Sequence, residues 1–277
     1  MQPMVVIASE VAKKVGHEIL KAHENRHRID FGVQSKGLDG LVTKIDRYAE
    51  ELTISLLKES YPRHSFLGEE FGLQEGKGAD ADWCFVIDPL DGTQNFVHGV
   101  PHFCVSIGIQ HKGVTQHGVV YDPVRGELFT ASRGDGAILN QRRLSVSNRT
   151  TIAGGFFTTG HPYERMIGET RTSFARQHFA ALQAICEHGG QVRRTGSAAL
   201  DLCYVAAGRF DGYFEMSIKP WDICAGELIA TEARAVVTDH HGSNHAMTTG
   251  SIFACNAKLL KPLMQIVIPT WENVLDK

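Results

Sequence analysis

The sequence predicts a mixed fold, with an α+β first half on a largely antiparallel sheet and an α/β second half. Three observations predict it. Apolar runs at 83–87, 104–110, 118–122 and 127–132 follow one another with turn residues between them, as in an antiparallel meander. Beyond about residue 147, strand-like runs alternate with helix-like ones. The 277 residues lie near the length at which a single core stops growing, so one large layered domain or two tightly packed halves, 1–146 and 147–277, are expected.

Residues 9–23 read as a helix, because Val11, Val15, Ile19 and Ala22 share one stripe. Residues 26–40 are polar, with Gly32, Gly37 and Gly40, and read as a loop. A second helix begins near Thr43, runs past Leu57 and ends at Tyr61-Pro62. Phe66-Leu67 marks a short strand leading into Gly68-Glu69-Glu70, and residues 72–82 read as another polar loop. The run 83–87 is a buried strand stopping at Asp88. In the second half, strands are expected at 155–158, 192–194 and 212–216. Helices are expected at 173–188, 198–207 and 222–233. No linker-like composition marks the boundary near residue 147, and no internal repeat is visible.

The composition is 43% hydrophobic and 21% charged, which favours a packed globular chain. The net charge is −3 and no five like charges run together, which argues against direct nucleic-acid binding; Arg193-Arg194 is too small a basic cluster to reverse this. No segment is long and apolar enough to span a membrane. Residues 1–7 are apolar but lack a cationic leader, so no secretory signal is expected. Six cysteines sit mostly beside apolar residues without a CxxC pair, which fits a reducing cytoplasm rather than a disulfide framework or zinc cluster. The 14 histidines are scattered and form no HExxH.

The informative stretch is Asp88-Pro89-Leu90-Asp91-Gly92-Thr93. Two acids follow a buried strand, Pro89 stiffens the turn, and Gly92 permits close backbone approach. A helix starting near Gly92 would point free N–H groups at an anion such as phosphate. Carboxylates beside a phosphate repel it unless cations lie between, which points to hard, oxygen-ligated ions such as magnesium at Asp88 and Asp91. Each feature alone has a plainer account. Asp-Pro-x-Asp-Gly is a β-turn composition, Glu69-Glu70 a solvated turn, Asp222 a helix N-cap and Asp46 a surface acid. Their joint occurrence shifts the balance.

Gly68-Glu69-Glu70, Asp88-Pro89-Leu90-Asp91-Gly92-Thr93 and Trp221-Asp222 with Gly226 resemble the motifs of the inositol monophosphatase family, and Leu41-Val42-Thr43 with Asp46 matches its N-terminal motif. Thr195-Gly196-Ser197-Ala198-Ala199, Ala206-Ala207-Gly208-Arg209 and Asp211-Gly212 are similar to the bacterial SuhB-type branch. The resemblance implies the five-layer αβαβα sandwich of the sugar phosphatases and a lithium-sensitive phosphatase using two or three Mg2+ ions. Glu69, Asp88 and the Leu90 carbonyl would hold the first ion, and Asp88, Asp91 and Asp222 the second. Glu69 would help a third, with Glu70 in the surroundings. Thr93 paired with Asp46 would orient or deprotonate the attacking water. The N–H groups of Gly92 and Thr93 would receive the phosphate, and Asp91, Ala198, Glu215 and Asp222 would line the sugar side. The leading substrate is inositol monophosphate, and a homodimer is implied.

Three departures from the family pattern stand out: Gly40 before Leu-Val-Thr, Gln94 for a frequent threonine, and Arg234-Ala235 for a usual pair of glycines. Two rivals remain. One is a related phosphatase of nucleotide 3′-phosphates or fructose 1,6-bisphosphate. The other, implied by the SuhB-type branch, is an interaction protein of the transcription machinery whose phosphatase site is secondary.

Overall fold

A computed structural model describes residues 2–37, 41–161, 164–167 and 170–271. Gly40 lies outside the described residues. Helix α1 (Pro3–Glu24) begins earlier than its apolar stripe suggested, because Pro3 suits the first helical turn. The segment expected to be a loop contains β1 (Gln34–Ser35), which pairs with β2 (Leu41–Val42). Helix α2 (Lys44–Ser60) starts where Thr43 and Asp46 form a reciprocal capping box.

The first sheet has eight strands. In chain order they are β3 (Ser65–Gly68), β4 (Gly72–Gln74), β5 (Trp83–Asp91), β6 (Cys104–His111), β7 (Val114–Asp122), β8 (Glu127–Ser132), β9 (Gly136–Leu139) and β10 (Arg142–Arg143). They lie side by side as β10-β9-β8-β7-β6-β5-β3-β4, and every pairing is antiparallel except β3 with β5. The expected meander is therefore present. Strand β4 occupies part of the expected loop 72–82. Strand β5 runs past Asp88 to Asp91, with a register shift between those acids where Pro89 has no N–H for the ladder. The short helix α3 (Thr93–His98) follows.

The second sheet has the order β14-β11-β15-β17-β16. Its strands are β11 (Phe156–Thr159), β14 (Gln191–Arg193), β15 (Gly212–Met216), β16 (Val236–Thr238) and β17 (Ser251–Cys255); the hairpin β12 (Glu164–Ile167) and β13 (Thr170–Ser173) stands apart. β11 is parallel to β14 and β15, whereas β17 is antiparallel to β15 and β16. The helices are α4 (Ala175–Glu187), α5 (Ala198–Ala206), α6 (Pro220–Glu232), α7 (Ala246–Thr249) and α8 (Ala257–Trp271).

The buried side chains show the layering. Val15, Ile19 and Leu57 of α1 and α2 pack on Phe85, Ile107 and Val119 of the first sheet. Leu202 and Ile229 of α5 and α6 lie between Val120 and Phe129 on one side and Tyr213 and Ile252 on the other. Ile185, Leu263 and Trp271 of α4 and α8 cover Phe157, Phe214 and Phe253. The result is the five-layer αβαβα sandwich. Among the described residues, no helix is long and apolar enough to cross a membrane.

The change at Arg234-Ala235 has a conformational consequence. Arg234 sits at φ 73°, in the left-handed region. Its N–H reaches Thr231 O and that of Ala235 reaches Ala230 O, closing α6 as a Schellman motif. Glycine is the ordinary residue at that position, so arginine pays about 1–2 kcal/mol there.

Candidate active site

A cavity of about 680 Å³ opens where the end of β5 meets the N-termini of α5 and α6. Glu69, Asp88, Leu90, Asp91, Gly92, Thr93, Ala198, Glu215 and Asp222 all line it. At its floor, one carboxylate oxygen from each of Glu69, Asp88 and Asp222 lies within 4.8 Å of the others.

Local structure explains how each acid arrives. Asp88 sits in β5, where its Oδ1 accepts from Leu90 N at 3.0 Å. Asp222 enters in the first turn of α6, with its Oδ2 accepting from Lys219 N at 2.9 Å. Glu69 follows β3 on a turn fixed from below by Glu50. The Glu50 carboxylate is fully buried and accepts from Glu70 N at 2.8 Å and Phe71 N at 3.0 Å. A Cβ at position 68 would fall 1.9 Å from Glu50 Oε1, so a larger residue there would displace that carboxylate from the turn. Lys36 reaches in from the N-terminal loop to Glu69 Oε1 at 2.8 Å and also pairs with Glu70. Glu70 thus stands beside the floor, outside the three-acid group.

Asp91 stands next to that group but is engaged differently. Its Oδ2 accepts from Ser197 Oγ at 2.7 Å and Ala199 N at 2.8 Å, and its Oδ1 from Ala198 N at 3.3 Å. A carboxylate from the first sheet therefore caps the middle helix α5, where the dipole favours negative charge. Asp91 Oδ1 keeps lone-pair capacity towards the cavity. Gly92 has φ 102°, and a Cβ there would meet His102 O at 3.0 Å and Gly196 O at 3.3 Å. That glycine lets the end of β5 approach the 195–197 loop.

Thr93 Oγ1 lies 2.7 Å from Asp46 Oδ1 and 3.2 Å from Leu90 O. Asp46 is fixed because its Oδ2 accepts from Thr43 N at 2.8 Å. The Thr93 hydroxyl has one hydrogen bond to donate, and the nearer acceptor, the Asp46 carboxylate oxygen, receives it. Its oxygen then remains an acceptor facing the cavity.

On the opposite wall, Glu215 accepts from Tyr213 Oη. It packs so closely against Gly160 that a Cβ there would fall 1.7 Å from Oε1. Asp201 is buried below and accepts from Thr158 Oγ1 at 2.9 Å and from Thr195 Oγ1, holding the loop that carries Ser197.

The electrostatics follow from this crowding. Burial and then repulsion from Glu69, Asp91 and Asp222 push the Asp88 carboxyl far above its usual range. Burial and the repulsion of Glu69 and Asp91 do the same to Asp222. Glu69 is raised by burial and by Asp46 and Asp91, against the opposing pull of Lys36. Burial pushes Asp91 up to about 6, although its hydrogen bonds from Ser197, Ala199 and Ala198 oppose the rise. Burial pushes Glu215 up to about 7, opposed by Tyr213 and Arg194. Burial works to lower the Lys36 ammonium, but attraction to Glu69 and hydrogen bonds to Glu69 and Glu70 outweigh it and raise it. Oxygen donors that repel one another, with one ammonium among them, fit a hard divalent cation. The acidic cluster can bind metal.

Three residues of this site gave no signal in the motifs. Lys36 lies in a polar loop. Glu50 could have been noticed as a charged residue on the buried face of α2, in step with Asp46, Thr53 and Leu57. Arg194 reaches the cavity wall, although its sequence position suggested only a small basic pair.

A five-layer αβαβα sandwich with carboxylates gathered at the end of the first sheet defines the sugar-phosphatase class of fold. Residues 1–272 match the inositol monophosphatase family, and the chain belongs to it. It is therefore a member of a phosphatase family. It is 46% identical over 277 residues, the whole of both chains, to the Nus factor SuhB of Pasteurella multocida. The crystal structure of the extragenic suppressor protein suhB from Bartonella henselae superposes with a TM-score of 0.86 at 34% identity, covering 96% of this chain and 98% of that one. The inositol monophosphatase of Anabaena (Nostoc) superposes with a TM-score of 0.79 at 33% identity, covering 96% of this chain and 95% of that one.

Proposed function

We propose that the protein is a magnesium-dependent phosphatase of a small polyol phosphate monoester, with inositol monophosphate the leading substrate. The observation carrying this reading is the meeting of Glu69, Asp88 and Asp222 within 4.8 Å beside the Thr93–Asp46 pair. In this reading two or three Mg2+ ions would be held by Glu69, Asp88 and the Leu90 carbonyl, by Asp88, Asp91 and Asp222, and more loosely by Glu69. Bound there, magnesium supplies positive charge against the phosphate oxygens and Lewis acidity for the attacking water. The remaining work belongs to side chains and backbone. Thr93 Oγ1 holds the water and takes its proton as it attacks phosphorus, while the threonine's own proton passes along the 2.7 Å hydrogen bond to Asp46. The backbone N–H groups of Gly92 and Thr93 receive the phosphate. Ala198, Asp91, Glu215 and Asp222 border the departing alcohol, whose leaving oxygen regains a proton from water, and Glu215 accepts a hydrogen bond from one of its other hydroxyls. Phosphoryl transfer needs this kind of positioning more than covalent help.

Phosphate release from a panel of monoesters, with and without magnesium, tests the reading. Inositol monophosphate is expected to lead, with release dependent on the metal. A strong preference for a nucleotide 3′-phosphate or fructose 1,6-bisphosphate would replace the substrate, and turnover without metal would reject the mechanism. Lithium is expected to inhibit where sodium does not.

A second reading draws on relatives named Nus factor, such as that of Pasteurella multocida. In it the chain is an interaction protein of the transcription machinery that retains a secondary phosphatase site. An Asp91→Asn variant that keeps partner capture while losing hydrolysis would show the two roles to be independent. A cytoplasmic homodimer belongs to both readings, and sedimentation of the purified protein tests the dimer.

A further inference from the structure

The acid floor accounts for one end of the cavity. The other end carries a cation that neither the floor nor the metal ligands use. Arg194 follows β14 (Gln191–Arg193) and lines the cavity together with Gly160, Gly196 and Glu215. Its side chain is exposed, and no hydrogen bond or ion pair ties its guanidinium to a described residue. Its position is nonetheless defined. Nη1 hangs over Gly196, 3.0 Å from where a Cβ would sit, and Gly196 has φ 90°. From there its charge acts on Glu215 across the cavity wall and on His178 of α4.

Glu215 is already oriented. One oxygen accepts the Tyr213 hydroxyl's hydrogen bond and the carboxylate is wedged against Gly160. The wall thus holds a fixed acceptor and a guanidinium that is donor only. We propose that Arg194 and Glu215 form a donor–acceptor pair that selects an alcohol with neighbouring hydroxyls, one donating to Glu215 and the other accepting from Arg194. This rests on the phosphatase reading above and adds to it a specificity-determining residue. A flat or simple aliphatic alcohol forms neither of these two bonds, and a site built around hydroxyl hydrogen bonds discriminates against ligands that lack them.

The test compares wild type, Arg194→Ala and Arg194→Lys with magnesium present. Substitution of an exposed arginine spares the fold, which a melting curve checks. The ratio of kcat/KM for inositol 1-phosphate to that for p-nitrophenyl phosphate is expected to fall about tenfold in Arg194→Ala, the scale of one lost charge-assisted hydrogen bond. The fall is expected mainly in KM for inositol 1-phosphate, with partial recovery in Arg194→Lys. An unchanged ratio overturns the proposal. So does an Arg194→Ala loss confined to fructose 1,6-bisphosphate, which would make Arg194 a receiver of a second phosphate. Calorimetric binding of inositol 1-phosphate to the same proteins separates the two readings. If wild type hydrolyses neither ester, the phosphatase reading fails. Binding about tenfold weaker in Arg194→Ala then still supports the pair, and equal binding rejects it.

Discussion

Buried carboxylates are held in two ways in this molecule. Three fully buried acids away from the cavity floor meet donors of their own. Asp201 receives two threonine hydroxyls, Glu50 two backbone N–H groups, and Asp122 the N–H groups of Val124 and Arg125 together with the Arg125 guanidinium. At the floor, Asp88 and Asp222 each have one backbone donor, and Glu69 shares Lys36 with Glu70. The first kind of acid supports the structure by itself. The second kind is short of positive charge, and that deficit marks a binding site rather than a packing solution.

Four experiments break or sharpen this contrast. The largest effect is expected at the floor. Asp88→Asn should lower turnover by at least ~10²-fold, the scale of one lost preorganised electrostatic contact. The same change should raise the melting temperature of the metal-free protein, because it removes a charge that Glu69, Asp91 and Asp222 repel. Near-normal turnover would remove Asp88 from the chemistry. Next in size is the metal itself. Magnesium at one hundred times its Kd should stabilise the wild type by about 2.7 kcal/mol, read as a rise in melting temperature that Asp88→Asn diminishes. An absent shift would mean that the floor is not a cation site.

Asp201→Ala tests the other kind of acid. Thr158 and Thr195 would lose their acceptor, at a cost of ~1–3 kcal/mol. Its metal-free melting temperature should therefore move down, opposite in sign to Asp88→Asn. If both variants move in the same direction, the contrast is wrong.

The smallest effect concerns Glu215. Its carboxyl is raised from 4.5 to about 7 in the folded protein, so the folded state holds that proton more tightly than the unfolded chain does. The stability it confers is present below pH ~4.5 and is lost as pH rises towards 7. The melting temperature of the wild type, measured against Glu215→Gln, should fall across that window. A constant difference between the two proteins would remove Glu215 as the cause.

The contrast also explains what could be read from the sequence. Asp88, Asp91 and Thr93 were legible as cavity residues because one short motif at a strand end contains all three. Asp222 and Glu69 were legible through family motifs. Lys36, Glu50 and Arg194 were not, since each acts on a partner that only the fold brings near. The meander was readable because turn residues separate its strands. The last part of the chain was not read at all. There β17 lies antiparallel in a partly parallel sheet, and α8 carries Pro262 and Pro269, which disguise a helical run. The positive φ of Arg234 was likewise invisible until the helix end was seen.

The floor is assembled from residues far apart along the chain. The pairing of β3 with β5 sets Glu69, just past the end of β3, beside Asp88, but Asp222 is supplied by α6, which lies between the two sheets. The first sheet alone therefore sets Glu69 beside Asp88 without the third acid. The three-acid floor is complete only once α6 lies between the two sheets.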